Sequence, residues 1–145
     1  VYKRQQVETG YLYAFHAPEY EVEESKALLT QYYWEIFQIA CLDVVREWLR
    51  EYLQRKHSMY EKRFCSPAFG AGFYGMELSA SEKMLQLMDA EKIGVSWDGG
   101  KMKPQMSVAG VYLISRKDIL SDCRDCANCI GQQTGCAFCC NNPKK

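Results

Sequence analysis

Two hydrophobic periodicities alternate along the chain and predict a mixture of strands and helices. Residues 10–16 (GYLYAFH) form a short aromatic-rich run, typical of a strand, which ends at the proline-containing segment 17–19. Residues 107–115 (SVAGVYLIS) are apolar on both faces, which predicts a central, buried strand. Residues 95–97 favour another strand, and a turn is predicted directly after it at residues 98–100 (DGG).

A long helix is predicted over residues 25–57, which contain neither glycine nor proline. Apolar residues recur there every three or four positions, so we expect one face of the helix to pack on the core. Cys41 belongs to this apolar stripe and is expected to be a core thiol. The stripe consists of Phe37, Cys41, Val44, Val45, Trp48 and Tyr52, and it is widened by Leu29, Tyr33, Ile36 and Ala40.

A second, shorter helix is predicted after the sequence SASE. Ser79 fits the N-cap and Glu82 the third helical position of a capping box. The helix is expected to run to about Lys92 and to end at Gly94. Its expected buried residues are Leu85 and Met88. The elements together predict an α+β (mixed α/β) fold, in which a single small sheet packs with the long helix and the capped helix.

Composition narrows the class of protein. The 145 residues are enough for one domain with a core, and the formal net charge is zero, so no basic excess indicates a nucleic-acid partner. No apolar run approaches the ~18 residues of a membrane span, so no membrane association is expected. The first ten residues, VYKRQQVETG, are polar and charged, unlike a secretory leader, which favours a cytoplasmic location.

Three parts of the chain are distinguished. Residues 1–5 (VYKRQ) look like a sequencing or cloning artefact and are excluded from the fold, and we expect a natural N-terminal portion to be missing. Residues 6–121 are predicted to form the folded domain. Residues 122–145 form a cysteine-rich tail.

A candidate ligand-binding loop lies at residues 62–75 (KRFCSPAFGAGFYG). Its glycines would let the backbone approach a ligand closely, and its aromatic side chains would stack on a ring. The structural alternative is an ordinary packed loop, in which Cys65 has no special role. Glu47, at the border of the helical stripe, is likewise either a ligand-binding carboxylate or a solvated side chain.

The tail contains six cysteines within eighteen residues, a pattern that favours a metal centre in a reducing compartment. Cys123, Cys126 and Cys129 have the spacing of three ligands of a [4Fe–4S] cluster. Two pairs separated by nine residues would instead form a tetrahedral zinc site, and a redox-active dithiol is a third interpretation. The candidate metal ligands are Cys123, Cys126, Cys129, Cys136, Cys139 and Cys140. His16 and His57 are each isolated and are not expected to bind metal.

The order of several motifs resembles a known family. The runs SPAFGAGFYGMELSASEKMLQLMDAEKIGV and KMKPQMSVAGVY are similar to the activation domain of cobalamin-dependent methionine synthase, in its stand-alone form from anaerobes. The resemblance covers residues 10–115, and ACLDVVREWLRE looks like the family's long helix. The matching positions are Arg63, Pro67, Ala68, Phe69, Leu85, Leu87, Ile93, Gly94, Met102, Pro104, Ser107, Val108, Gly110 and Tyr112.

The resemblance implies S-adenosylmethionine binding and the reductive remethylation of a cobalamin carried by a corrinoid partner protein, with a separate electron-donor protein. By this resemblance Glu47 would face the sulfonium or ammonium cation, Arg63 the substrate carboxylate, and the turn at residues 66–70 the adenine. The implied binding residues are Asp43, Glu47, Arg63, Ser66, Pro67, Ala68, Phe69, Gly70 and Tyr112.

Three positions depart from the family pattern and motivate other functions. Ala68 and Phe69 stand where the family has Gly and Tyr, and Leu120 stands where a second tyrosine is expected. One alternative is a degenerate binding module that keeps the fold and holds a corrinoid protein without the methyl donor. Another is an electron-transfer component that uses the cysteines alone.

Overall fold

The computed structural model of the chain describes residues 7–18, 28–71 and 76–117. Within these ranges it contains antiparallel strands, one long helix and one short helix, so the α+β class is confirmed. The artefact predicted at residues 1–5 and the tail at residues 122–145 lie outside the described residues. The elements are β1 (Val7–His16), α1 (Leu28–Ser58), β2 (Phe64–Cys65), α2 (Ala80–Leu87), a 3-10 turn (Ala90–Ile93), β3 (Ser96–Asp98), β4 (Lys101–Lys103) and β5 (Ser107–Ser115).

A three-stranded antiparallel sheet has the strand order β1-β5-β2. In β5, Tyr112 faces Tyr11 of β1, while Ser115 faces Phe64 of β2 at the opposite edge. β5 is therefore the central strand, as predicted, with the bounds expected from the sequence. Its apolar residues point to both faces because each face is covered by a helix.

The two faces of β5 carry separate apolar clusters. On one face Tyr112 and Ile114 pack with Tyr13 of β1 and with Leu53 of α1, and all four side chains are buried. On the other face Ala109 packs with residues of α2 and of the segment that follows it. That second cluster consists of Leu85, Ala90, Val95 and Ala109. Alternation along a single strand thus supplies both halves of the core.

The prediction of a single sheet is wrong, because β3 and β4 form a separate two-stranded antiparallel hairpin. The predicted turn between them is confirmed: Gly99 and Gly100 have φ values of 56° and 95°, which L-residues with a side chain rarely adopt. β3 begins at Ser96 rather than at residue 95, since the fully buried Val95 instead packs in the second cluster.

The expectation that the apolar stripe of α1 faces the core is wrong. Phe37, Val44 and Trp48 are 55%, 69% and 58% exposed, and the predicted core thiol Cys41 is exposed as well. The sheet instead meets the side of the helix that carries Leu53, with Leu49 partly buried beside it. Burial of Leu53 and contacts made by polar side chains determine the orientation of α1.

The capping box predicted for α2 does not form. Ser79 is at the N-cap, but its backbone is helical, and its hydroxyl donates to the Glu77 carboxylate at 3.2 Å instead of bonding the helix. The helix ends at Leu87, short of Lys92, because Asp89 adopts a left-handed conformation with φ of 50°. Leu85 is buried and Met88 is partly buried, as expected, and Gly94 ends the following 3-10 turn with φ of 78°.

No helix in the described part of the chain combines the length and the apolar character that crossing a bilayer requires.

Candidate functional site

A cavity of about 750 Å³ lies where α1, β5 and the loop after β2 meet the β3–β4 hairpin. Its volume is within the ~300–1,000 Å³ typical of small-molecule sites. The residues that line it come from six separate parts of the chain: β1, α1, the loop after β2, the start of α2, the β3–β4 hairpin and β5. They are Tyr13, Arg46, Glu47, Arg50, Pro67, Ala68, Gly70, Ala71, Leu78, Ser81, Trp97, Gly100, Lys101, Met102, Val108, Ala109 and Tyr112.

The loop that forms one wall is held against β5 by backbone and hydroxyl hydrogen bonds. The N–H of Ser66 donates to the Leu113 carbonyl at 2.9 Å, and the N–H of Leu113 donates to the Ser66 hydroxyl at 2.9 Å. Farther along, Phe69 and Val111 exchange two backbone hydrogen bonds of 3.0 and 2.8 Å. Pro67 and Ala68 lie in the loop between these two attachments to β5, and both line the cavity.

Gly110 allows the loop to come this close. A methyl group at residue 110 would overlap the Phe69 carbonyl oxygen and would lie 2.7 Å from the Tyr13 hydroxyl oxygen. Both contacts would be far closer than van der Waals contact allows. The position of the loop, and hence the shape of the cavity wall, depends on the absence of a side chain at this point of β5.

Two stacked tyrosines form the floor. The rings of Tyr13 and Tyr112 are 5.0 Å apart at an interplanar angle of 26°, and Tyr112 is fully buried. The Tyr112 hydroxyl donates to the Arg46 carbonyl of α1 at 2.7 Å, which ties the helix to the central strand. Burial raises the pKa of both hydroxyls above their ordinary value, so neither tyrosine serves as a base near neutral pH.

Charged side chains of α1 form a second wall. The Glu47 carboxylate accepts hydrogen bonds from the Arg50 guanidinium at 2.5, 2.9 and 3.0 Å, and this contact holds the pKa of Glu47 below its ordinary value. The Glu47 side chain is 56% exposed, so the pair remains accessible. Arg46, also on this wall, contacts Asp43 at 2.8 Å one turn away. The cavity therefore offers one carboxylate and two guanidinium groups beside an aromatic floor.

The hairpin closes the opposite side. Trp97 of β3 and Met102 of β4 contribute apolar surface, and Lys101 adds a positive charge at the rim. The two hairpin residues Trp97 and Met102 also pack on the second apolar cluster, so this wall is anchored to the core.

Cys65 lies in the short strand before the loop and does not line the cavity. Its N–H donates to the Gln54 side chain at 2.7 Å, which fixes the strand to α1. Burial raises the pKa of its thiol to about 11, with a smaller contribution from the Glu47 carboxylate. This thiol is therefore protonated near neutral pH and is a poor nucleophile.

The predicted site residues divide into two groups. Five line the cavity together: Glu47, Pro67, Ala68, Gly70 and Tyr112. The other four are not in its lining: Asp43, Arg63, Ser66 and Phe69. Asp43 is exposed on α1 and contacts Arg46, while Ser66 and Phe69 hold the loop on β5.

Arg63, predicted to bind a substrate carboxylate, is engaged elsewhere. Its guanidinium contacts Glu8 at 2.7 Å and Glu61 at 2.6 Å, and both contacts raise its pKa. Glu8 also pairs with Arg116. This ion cluster joins the ends of β1, β2 and β5 outside the cavity. Its contacts give Arg63 a structural role.

Sequence reasoning missed the two arginines of the cavity. Arg46 follows Asp43 by three residues, and Arg50 follows Glu47 by three residues. Side chains at this spacing are neighbours on a helix, so the spacing was the available signal. Tyr13 and Trp97 had no comparable signal, because they reach the cavity only through strand pairing and hairpin placement.

No metal site is formed within residues 7–18, 28–71 and 76–117, since no three histidine, cysteine or acidic side chains come together there. The six candidate metal ligands Cys123, Cys126, Cys129, Cys136, Cys139 and Cys140, and also Leu120, lie outside the described residues.

Comparison with known proteins gives no match to any family model, to any curated protein or to any solved structure. The fold and the cavity define a small α+β protein with a mixed-charge, aromatic-floored pocket.

Proposed function

We propose that the cavity binds S-adenosylmethionine, and that the chain is an activation module which presents this methyl donor to the cobalamin of a corrinoid methyltransferase. The proposal rests on the motif order described above and on one observation that supports it. Glu47, Pro67, Ala68, Gly70 and Tyr112, which the resemblance implies as ligand contacts, line a single cavity although they are distant in sequence.

The chemistry of the lining suits the ligand. S-adenosylmethionine carries a sulfonium, an α-ammonium and a carboxylate, and the cavity has a carboxylate and two guanidinium groups with which these can pair. Glu47 would attract the cationic groups. Arg50 or Arg46 takes the role that the resemblance assigned to Arg63, since that residue is committed to its ion cluster.

The aromatic and backbone surfaces suit the adenine. Trp97 and the Tyr13–Tyr112 floor offer ring faces for stacking. The N–H groups of Ser66 and Phe69 already donate to β5, so adenine hydrogen bonds would come from other backbone groups of the loop, such as those of Ala68 and Gly70.

Within this proposal the chain binds and orients the donor, and the cofactors supply the reactivity. An electron from a donor protein would reduce the partner's inactive cob(II)alamin, and the bound S-adenosylmethionine would then supply its methyl group to the partner's cofactor, with S-adenosylhomocysteine as the leaving group. Cavity residues would hold the sulfonium so that its methyl group points to the open side.

Calorimetric titration with S-adenosylmethionine, on protein prepared without oxygen, tests the proposal. We expect binding by the wild-type chain and a loss of at least 10-fold in affinity for Glu47→Gln and for Arg50→Gln, because each change leaves a charged group without its partner. Glu51→Gln is the matched control, since Glu51 is an exposed carboxylate one turn away that does not line the cavity. Absence of wild-type binding would refute the methyl-donor function.

A degenerate binding module is the second candidate, and Ala68 favours it. Ala68 lines the cavity and packs against the first apolar cluster, where the family has glycine. Ala68→Gly distinguishes the two functions: a sharp gain in affinity for S-adenosylmethionine would indicate that the alanine side chain blocks the ligand and that the native site is degenerate.

The cysteine-rich tail bears on the same choice. A [4Fe–4S] cluster held by its cysteines would relay the electron, whereas a zinc ion would only stabilise the tail. Iron, sulfide and zinc quantified together with an absorption spectrum on one anaerobic sample distinguish these forms. Matching iron and sulfide favour reductive activation, and one zinc without iron favours the binding module.

A further inference from the structure

Six side chains form a continuous apolar ridge along the outer side of α1, turned away from the sheet. We call it the outer stripe: Tyr33, Phe37, Cys41, Val44, Trp48 and Tyr52. Tyr33 is 62% exposed and Tyr52 is 44% exposed, so the exposure extends from one end of the stripe to the other. At ~1.5 Å per residue the stripe is roughly 28 Å long.

The stripe is large enough to be an interface. With full side-chain areas of ~150–250 Å² for aromatic residues, the exposed fractions amount to roughly 700 Å² per chain, including the neighbouring Ile36 and Val45. Stable interfaces bury roughly 600–1,000 Å² on each partner, and the stripe falls within this range. Exposed apolar area of this size, on one straight helix, predicts a partner helix.

The spacing of the stripe is symmetric about its midpoint. Its successive steps are four, four, three, four and four residues, and they read the same in both directions. Two copies of α1 that run antiparallel about a two-fold axis between residues 42 and 43 therefore match every stripe position with another. Tyr33 then faces Tyr52, Phe37 faces Trp48, and Cys41 faces Val44.

This matching has the properties of a two-fold interface, in which residue i contacts residue j and j contacts i. Large aromatic side chains meet aromatic side chains near both ends, and the two small side chains meet at the centre, where the helix axes approach most closely. A parallel arrangement would instead place each residue against its own copy, such as Trp48 against Trp48 and Cys41 against Cys41.

The charges beside the stripe favour the same arrangement. In the antiparallel pairing Glu51 lies opposite residue 34 and Arg55 opposite Thr30, neither of which is charged. In a parallel pairing Glu51 would meet Glu51 and Arg55 would meet Arg55, and like charges at short distance oppose association.

We propose that two copies of this chain form a homodimer through the outer stripes of their α1 helices, packed antiparallel. The cavity is lined by Arg46, Glu47 and Arg50 of the same helix, which are not stripe residues, so each protomer keeps its own site. The dimer does not depend on the proposed function, and each can fail without the other.

Sedimentation equilibrium of the 145-residue chain under reducing conditions tests the dimer. We expect a mass of twice 16.8 kDa at micromolar concentration. Trp48→Glu and Val44→Glu should each weaken the dimer at least 100-fold, because each buries two charges per interface. Leu87→Glu is the matched control, since Leu87 is 77% exposed on α2, away from the stripe, and should leave the dimer intact.

Circular dichroism checks that the exposed substitutions leave the fold unchanged. A wild-type monomer at 100 µM, or a dimer that persists in both Trp48→Glu and Val44→Glu, would overturn the proposal. The register is tested separately with a photoreactive phenylalanine analogue at position 37. Crosslinks to residue 48 of the second copy support the antiparallel pairing, and crosslinks between the two residues 37 refute it.

Discussion

Alanine substitution at the two glycines of the main sheet should have opposite effects on stability. Gly10 and Gly110 lie on paired strands, but a methyl group at residue 10 would meet only Leu113 and Val111 side-chain carbons, each at 3.6 Å. That is ordinary van der Waals contact. Gly10→Ala should therefore stabilise the protein by about 0.5 kcal/mol, because alanine restricts the unfolded chain.

Gly110→Ala should destabilise the protein by about 2.5–4.5 kcal/mol. The added methyl group forces the Phe69 carbonyl and the Tyr13 ring apart from β5. Loss of the two hydrogen bonds between Phe69 and Val111 accounts for about 2 kcal/mol, and the displaced ring adds about 1–3 kcal/mol of overpacking, against a gain of about 0.5 kcal/mol from the unfolded state.

Urea unfolding followed by far-ultraviolet circular dichroism, with reductant present, measures both variants. With a slope of about 1–1.5 kcal/mol per molar urea for a chain of this size, the midpoint of Gly110→Ala should fall by about 2–4 M. The midpoint of Gly10→Ala should rise slightly. If Gly110→Ala is as stable as Gly10→Ala, the close contact between the loop and β5 does not exist, and the cavity wall described here is incorrect.

Two further predictions concern titratable groups. At pH 8 iodoacetamide should alkylate Cys65 about 100-fold more slowly than the cysteine of an unstructured reference peptide, because burial raises the pKa of Cys65 to about 11 from 9.0; equal rates by peptide mass mapping would contradict this burial. The pKa of Glu8 lies below its ordinary value of 4.5 because two arginines contact it. The ion cluster thus stabilises the fold above about pH 4.5 and is lost as the pH falls through the lower, folded-state pKa. Thermal unfolding should show a difference between wild type and Glu8→Gln at pH 6 that shrinks towards pH 3, and a pH-independent difference would contradict it.

Local patterns in the sequence were enough to identify β1, the central strand β5 and the turn between β3 and β4, whereas β2 lies within residues 62–75, where the sequence predicts a loop. Residues 107–115 are apolar on both sides, and the structure has the central strand with those bounds. The glycines at residues 99 and 100 likewise indicate a turn, because glycine adopts positive φ angles that other residues rarely adopt. Such features depend on neighbouring residues, which the sequence displays directly.

The orientation of α1 was decided only by the tertiary structure. Periodicity shows that Phe37, Val44 and Trp48 share a face, but not which face meets the sheet. That choice depends on the packing of Leu53 in one cluster with Tyr13 and Tyr112, residues far away in sequence. An apolar helix face has the same sequence pattern whether it packs on the core of its own chain or on another molecule.

The candidate site likewise contains residues that the sequence identified and residues that only the tertiary structure revealed. The resemblance identified Glu47, Pro67, Ala68, Gly70 and Tyr112, which do line one cavity. It assigned the carboxylate-binding role to Arg63, whereas the guanidinium groups at the cavity belong to Arg46 and Arg50. Residue types and spacing determine which chemical groups the chain has. Strand pairing and helix orientation determine which of those groups face the same space, because they bring together side chains that the sequence separates.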